Sequence, residues 1–356
     1  MTIARKFQVI DTSSTVFHCM SRCVRQAFLC GDAAEHRREW VREVMKVASG
    51  AFVIEMLAYA VMNNHLHLIL RTTPNLVADW TDAEVIARWA RAHPRIGSDG
   101  IAIPWSDVDL EARNADATWI ATARLRLRSL SWFMKCVKER LARQANREDG
   151  CTGHFWEGRF KSIPLLDQPA IIACMVYVDL NSIRATIATT PGTSDFTSVQ
   201  ERIRARESLQ QAKTFLEHVE ISALVPSLRV NAEPTPGNAS EGSEGALRIA
   251  PIASSTAHQE SSFRLTLDDY LMLVDHTGRI MRSDKRGAIP THLAPILERL
   301  NLDPTAWLNL MHNGGSFHGG AFGHLAARTT EALRRGVKWL VDVTRGLYRS
   351  PATSIS

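Results

Sequence analysis

The stretch FVIEMLAYAVM-NN-HLHLILRT, residues 52–72, constrains this chain more than any other. Two apolar runs of strand length flank an Asn-Asn pair, which reads as a β-hairpin with a tight turn. Residues i and i+2 of a strand share a face, so His65 and His67 project together while Leu66 and Leu68 meet the opposite layer. Two imidazoles at that spacing either share one divalent metal or are separately hydrogen-bonded.

Elements of both kinds surround the hairpin. TVFHCMSRC (15–23) alternates as a strand, and AEHRREWVREVMKVA (34–48) is helical, with Trp40, Val41, Val44 and Val47 on one side and Gly50 at its end. WTDAEVIARWARAH (80–93) is a helix with Thr81 as N-cap and Glu84 three residues on. Residues 94–118 read as a loop-rich insertion, and a long basic helix follows over 119–147. GHFWEGRFKSIPLL carries a loop and a short strand at 160–166; a helix from 168 to 187 is capped by Asp167, with proline in its first turn. The order strand, helix, hairpin, helix, strand, helix predicts an α+β fold, a ferredoxin-like antiparallel sheet with helices on one face. NAEPTPGNASEGSEG marks 225–262 as a flexible linker, and helical periodicity returns over 263–348. We therefore expect domains at 1–210 and 263–350, joined by a helix end and linker at 211–262.

The chain has 356 residues, enough for two modest domains, with 45% hydrophobic and 22% charged residues as in globular proteins. No apolar run approaches the roughly 20 residues of a membrane span, and the N-terminus carries no apolar stretch of a secretory signal. Net charge is +5. Between Arg124 and Lys161 ten basic residues face four acidic ones, a local excess of +6 that points to an anionic partner or to a solvated helix face. The six cysteines include no CxxC pair and read as reduced and mostly buried; a zinc site from Cys19, Cys23 and Cys30 lacks the usual spacing.

The residues beside the histidine pair remove two site types. An HxHxDH metal site needs Asp at 69 and His at 70, where Ile69 and Leu70 stand; a histidine-triad site also needs His at 69. What remains is two histidines and a third ligand from elsewhere. The 168–187 helix presents Tyr177 and, four residues on, Asn181 on the same face. Of the four tyrosines, Tyr177 is the one in a helix with a candidate ligand one turn away, although most tyrosines in apolar helices are core residues.

Taken together, HLH after an apolar strand, then GHFWEGRFKS, then CMVYVDLNSIRA resembles the single-tyrosine transposases of the HUH nuclease superfamily, and within it the REP-associated tyrosine transposases. FHCMSRCVRQAFL resembles that family's first strand and turn, and the resemblance covers residues 15 to about 204. One departure is Asn181-Ser182, where the family usually has Asn-Pro.

The resemblance implies an HUH nuclease fold for the first domain. It also implies a transposase: a metal-dependent endonuclease and strand transferase on single-stranded or hairpin DNA. Tyr177 would be the nucleophile, forming a covalent 5′-phosphotyrosine. His65, His67 and Asn181 would hold magnesium or manganese, polarising a phosphate. A phenol with an ordinary pKa of about 10 needs a metal or base for activation. The DNA-binding candidates are Arg22, Arg25, Lys138, Arg159, Lys161 and Arg184, with Phe155, Trp156 and Phe160 as stacking candidates. The implied protein is cytoplasmic and nucleoid-associated in a bacterium, a monomer or homodimer, with no membrane partner. Two alternatives stay open: a non-catalytic hairpin-binding regulator, and a metal phosphodiesterase without a covalent step.

Overall fold

A computed structural model describes residues 14–31, 34–97, 101–218, 249–250, 265–282, 294–313, 320–341 and 346–348. Its centre is a four-stranded sheet built from β1 (Thr15–Arg22), β2 (Ile54–Val61), β3 (His65–Thr72) and a later strand, Lys161–Leu165. Helix α1 (Arg37–Ala51) connects β1 to β2. Between β3 and the last strand lie α2 (Asp82–Ala92), a two-residue ladder of β4 (Arg95–Ile96) and β5 (Ala102–Ile103), α3 (Asp107–Asn114), α4 (Ala117–Leu127) and α5 (Leu130–Glu148). The last strand is thus β6. The sheet order is β2-β3-β1-β6 with every neighbouring pair antiparallel, the arrangement expected for a ferredoxin-like sheet. After β6 come α6 (Gln168–Asp179), α7 (Asn181–Arg184), α8 (Ser198–His218) and, in the C-terminal segment, α9 (Leu267–Arg282), α10 (Ala294–Arg299), α11 (Pro304–Asn313) and α12 (Leu325–Arg334).

The period of two along the strands sorts the core. Phe17, Cys19, Leu66, Leu68 and Leu70 pack with α1 and α5, whereas Val16, Ala58, Ala60 and Ile69 pack with α6. Helices therefore cover both sheet faces, which corrects the one-face expectation. The reason is in the composition of α6: it is apolar on every side, and such a helix must be buried all round. Its inner side meets the sheet, and Leu265, Tyr270, Leu273 and Val274 join the same apolar cluster. The sheet edges are also covered. Val61 N–H donates to Phe196 O at 3.1 Å outside β2, and Leu166 N–H donates to Phe322 O at 2.7 Å beyond β6.

Several local expectations change. Helix α1 runs through Gly50 to Ala51. The insertion at 94–118 contains a short ladder and α3, capped by a reciprocal Ser106–Asp109 box. The basic helix over 119–147 is two helices, because Arg128 and Ser129 break it and let α4 pack on α2 while α5 packs on α1. The 168–187 helix ends at Asp179 and resumes as a single turn after Leu180. The Thr81–Glu84 capping box and the Asp167 cap, which accepts from Ala170 N–H at 2.9 Å, form as expected. The linker expected at 225–262 lies outside the described residues except for 249–250.

Five cysteines are buried and Cys151 is exposed. Burial pushes the Cys23 and Cys30 thiols up to about 12, which keeps both protonated at neutral pH. Burial among cations has the opposite effect on His93. Desolvation, then Lys135, hold its imidazole down to about 4 against the pull of Glu139. The unfolded chain takes up this proton near pH 6.5 and the folded chain only near 4. His93 thus favours the folded state fully above pH 6.5, and that contribution is lost as pH falls toward 4. A His93→Gln variant is expected to show a flatter decline in Tm between pH 6.5 and 4 than wild type, measured by calorimetry in steps of pH.

Candidate functional site

The turn that precedes His65 is held from several directions. Asn63 O accepts from Leu29 N–H at 2.6 Å and Cys30 N–H at 2.9 Å, and Asn64 O accepts from Cys23 N–H at 3.0 Å. From α1, the buried Arg38 guanidinium donates to Val61 O and to Asn63 Oδ1, each at 2.6 Å. The hairpin register is thereby fixed, with the histidine pair on the face that α6 covers.

His65 and His67 do project together; their ring centroids are 4.8 Å apart. The structure adds a third histidine that sequence reasoning missed. His18 on β1 is 1% exposed, its Nε2 lies 2.8 Å from His67 Nδ1, and the two rings stack at 5.1 Å. The signal was present in FHCMSRC: His18 has the parity of Met20 and Arg22, and Met20 pairs directly with His67. Only the β1–β3 register, a long-range property, places it there.

Tyr177 closes the cluster from the other layer. Its ring stands edge-on to His67 at 6.1 Å and to His18 at 6.3 Å, and the residue is 4% exposed. The Arg184 guanidinium lies 4.6 Å from the Tyr177 ring centroid, a cation–π contact one layer out from the histidines. Asn181 is buried, and its Nδ2 donates to Tyr177 O at 3.1 Å, which makes Oδ1 the acceptor end of the amide.

The donor chemistry fits a divalent cation. His65 Nδ1 contacts Asn64 Oδ1 at 2.6 Å. An amide oxygen only accepts, so the neutral ring carries its proton on Nδ1 and its lone pair on Nε2. His18 Nε2 and His67 Nδ1 share a hydrogen bond whose direction depends on the two tautomers, and a partner on the second ring nitrogen is the usual companion of a metal-ligating histidine. Among the described residues no group of three or more His, Cys, Asp or Glu is arranged to hold a metal. The Asn181 side chain stays against its own helix, its Nδ2 donating to Tyr177 O and Val178 O.

The basic candidates separate by position. Arg22 pairs directly with His65, and Lys161 pairs with Met20, which in turn pairs with His67, so both lie on the histidine face. Arg159 is exposed in the loop before β6. Arg25 is exposed just after β1, where it and Gln26 take positive φ values of 54° and 55°, rare for residues with a Cβ. Lys138 is different. It sits on α5, across the sheet, and its Nζ donates to Gly158 O at 2.6 Å, clamping the 157–159 loop. Of the aromatic candidates, Trp156 and Phe160 are buried in the core and Phe155 is half-buried.

A second missed residue, Asp179, fixes the tyrosine helix. It is fully buried and accepts from Val199 N–H at 3.0 Å, from the Ser198 hydroxyl and from the Tyr270 hydroxyl, with Arg202 at 3.9 Å. Burial raises its pKa above the ordinary carboxylate value, and Arg202 opposes that shift. One side chain thus joins the end of α6 to the start of α8 and to α9.

No known protein family matches the sequence, and no curated protein matches it. A solved structure of a REP-associated tyrosine transposase bound to a REP hairpin is similar over 53% of this chain and 79% of that one, with a TM-score of 0.32 and 10% identity.

Replacing Asp179 by alanine removes the buried acceptor of the Tyr270 and Ser198 hydroxyls and of Val199 N–H, and the charge partner of Arg202. Removing one partner of a buried charged network costs roughly 3 to 5 kcal/mol. Asp179→Ala is expected to lower stability in urea by about that amount, whereas an exposed pair such as Arg204–Asp195 should contribute less than about 1 kcal/mol.

Proposed function

We propose that this chain is a metal-dependent endonuclease and strand transferase for single-stranded or hairpin DNA, working through a covalent 5′-phosphotyrosine on Tyr177. The observation that carries the reading is the packing of the Tyr177 ring against His67 and His18, on the face where the HLH pair projects. The ordered motifs HLH, WEGRFKS and YxxxN support it from the sequence.

His65, His67 and Asn181 would hold magnesium or manganese, which when bound supplies Lewis-acid polarisation of the scissile phosphate. The chain's own groups do the rest. His18 orients the His67 ring through the hydrogen bond between its Nε2 and His67 Nδ1. Arg22 and Lys161, on the histidine face, draw the phosphates toward the site. Tyr177 Oη attacks phosphorus, the phenolic proton passes to a base or water, and the P–O3′ bond breaks. The 3′ oxygen leaves with a proton as a free hydroxyl, and the phosphotyrosine retains the energy for rejoining. Arg184 lies against the Tyr177 ring and helps to hold it in place.

The slight exposure of Tyr177 favours a second reading, a hairpin-binding regulator in which the tyrosine is a packed residue. A covalent-adduct assay separates the readings. Labelled hairpin DNA from the gene's own flanks is incubated with the full chain and manganese, then run on a denaturing protein gel. A labelled band is expected for wild type and none for Tyr177→Phe or for His65→Ala/His67→Ala. Cleavage without a band, unchanged in Tyr177→Phe, would identify a phosphodiesterase; tight binding with neither cut nor band would identify the regulator. In parallel, His18→Ala is expected to weaken manganese binding by about 10- to 100-fold, read by titration calorimetry, while Tyr177→Phe leaves it near wild type.

A further inference from the structure

Both edges of the main sheet are capped by the chain itself, β2 by bridges to Thr197 and Ile249 and β6 by one to Phe322, which blocks strand addition there. The β4–β5 ladder is left open. Its strands hold two residues each, paired as Arg95 with Ile103 and Ile96 with Ala102, and all four are exposed. Ile96 is 52%, Ile101 65%, Ile103 48% and Val108 74% exposed. Of the thirteen large apolar side chains exposed among the described residues, these four fall within residues 96–108. Single apolar residues on a surface are ordinary, but a cluster marks an interaction site.

The flanks of the ladder carry opposite charge. Residues directly opposed in an antiparallel pair share a face, so Ile96 and Ala102 lie on one face and Arg95 and Ile103 on the other. The first face looks across a groove to Arg140, Arg143 and Arg147 on α5, of which Arg143 and Arg147 are exposed. The second is tied to α3 by the pairing of Arg95 with Asp109. The ladder therefore stands between α5 and α3. Helix α3 buries none of its residues. On it, Asp107 and Glu111 are exposed and have no ion-pair partner among the described residues. Its one cation, Arg113, lies 5.0 Å from the Trp119 ring centroid. On α5, Arg143 pairs with Glu139, an exposed contact that exchanges easily. Arg143 and Arg147 are four residues apart, as are Asp107 and Glu111. Each pair thus lies on one stripe of its helix, its members about 6 Å apart.

We infer that this surface joins two copies of the chain in a two-fold dimer. The ladders meet at the axis, and Arg143 and Arg147 of each copy face Asp107 and Glu111 of the other. A two-fold interface uses the same patch on both subunits, so the patch must be complementary to itself. This one is, with an apolar centre, cations on one flank and carboxylates at the same spacing on the other. A nucleic acid or an acidic peptide would engage the α5 flank alone. A second copy engages both flanks and covers the ladder between them. The inference goes beyond the DNA reading and does not rest on it.

The full chain is examined without DNA by sedimentation velocity, between about 1 and 100 μM protein and at salt between about 50 and 200 mM. Wild type is expected to pass from monomer to dimer as concentration rises, and to associate more weakly at the higher salt. Arg143→Glu/Arg147→Glu sets four carboxylates against one another at each flank, and Asp107→Lys/Glu111→Lys sets four cations there. Each variant alone is expected to dimerise at least about a hundredfold more weakly. An equimolar mixture of the two is expected to recover the dimer, because the reversed flanks then match each other and so do the unchanged ones. Recovery requires that both variants are folded and that α3 of one copy meets α5 of the other. Ile96→Ser/Ile101→Ser should weaken the dimer at least about tenfold and leave its salt dependence in place. A wild-type chain that stays monomeric throughout overturns the inference. A dimer that none of the variants weakens also overturns it, since the contact then lies elsewhere. So does loss of the dimer in both charge variants with no recovery on mixing. If the mixture recovers and no adduct forms at Tyr177, the interface stands and the tyrosine chemistry falls; an adduct formed by a strictly monomeric chain gives the reverse.

Discussion

The antiparallel pairing of β1 with β3 is the contact on which the rest of the structure depends. It sets Met20 opposite His67 and Arg22 opposite His65, and it brings His18 within hydrogen-bond reach of His67. A strand's side-chain period is two, so a slip of one residue would send the histidines into the apolar layer of Leu66, Leu68 and Leu70 and turn those leucines toward α6. Each wrong placement would bury imidazoles without partners, at a cost of roughly 1 to 3 kcal/mol per unsatisfied group. The register is therefore held by energy on both faces at once. The Asn63–Asn64 turn adds a local lock, tied to the 23–30 segment by three backbone hydrogen bonds and to α1 by Arg38.

The second constraint is the position of the tyrosine helix. A helix that is apolar all round can rotate or slide at little cost, because one greasy face packs much like another. Asp179 removes that freedom. Its carboxylate is satisfied only when α6, α8 and α9 meet in one arrangement, since its partners come from Ser198, Val199 and Tyr270. Gly278 on α9 sharpens the fit: a Cβ there would lie 3.0 Å from Leu180 Cδ2, so the helices approach closely at the residue between α6 and α7. The ring of Tyr177, two residues before Asp179, inherits this fixed orientation toward the histidines.

What could be read from the sequence follows from the range of the interactions involved. The hairpin, the Thr81–Glu84 box, the Asp167 cap and the existence of α6 are local, written in periodicity and capping over a few residues. The strand order was legible because the order of elements leaves few ways to close such a sheet. The break at Ser129 was not, because Leu127, Leu130 and Phe133 keep apolar spacing across it while the chain turns to serve two different helices. His18 and Asp179 were missed for a shared reason. Each is a single polar residue in an apolar run, and its meaning comes from partners 49 and 19 or more positions away. The charge excess over Arg124–Lys161 was visible as a number, but its division between two sheet faces was not.

That division bears on how a single-stranded substrate would lie. Arg22 and Lys161 belong to the histidine face, where a phosphate must approach the tyrosine; Arg140, Arg143 and Arg147 belong to the far side of α5. Cations on one face alone would bind a short segment and release it easily. Lys138, Phe155 and Arg159 line a cleft beside the loop that precedes β6. A bent single strand costs little, because without a partner strand its backbone is flexible, whereas a duplex resists such curvature. Under the proposed DNA function, cations set on two faces would suit a flexible unpaired segment better than a stiff duplex.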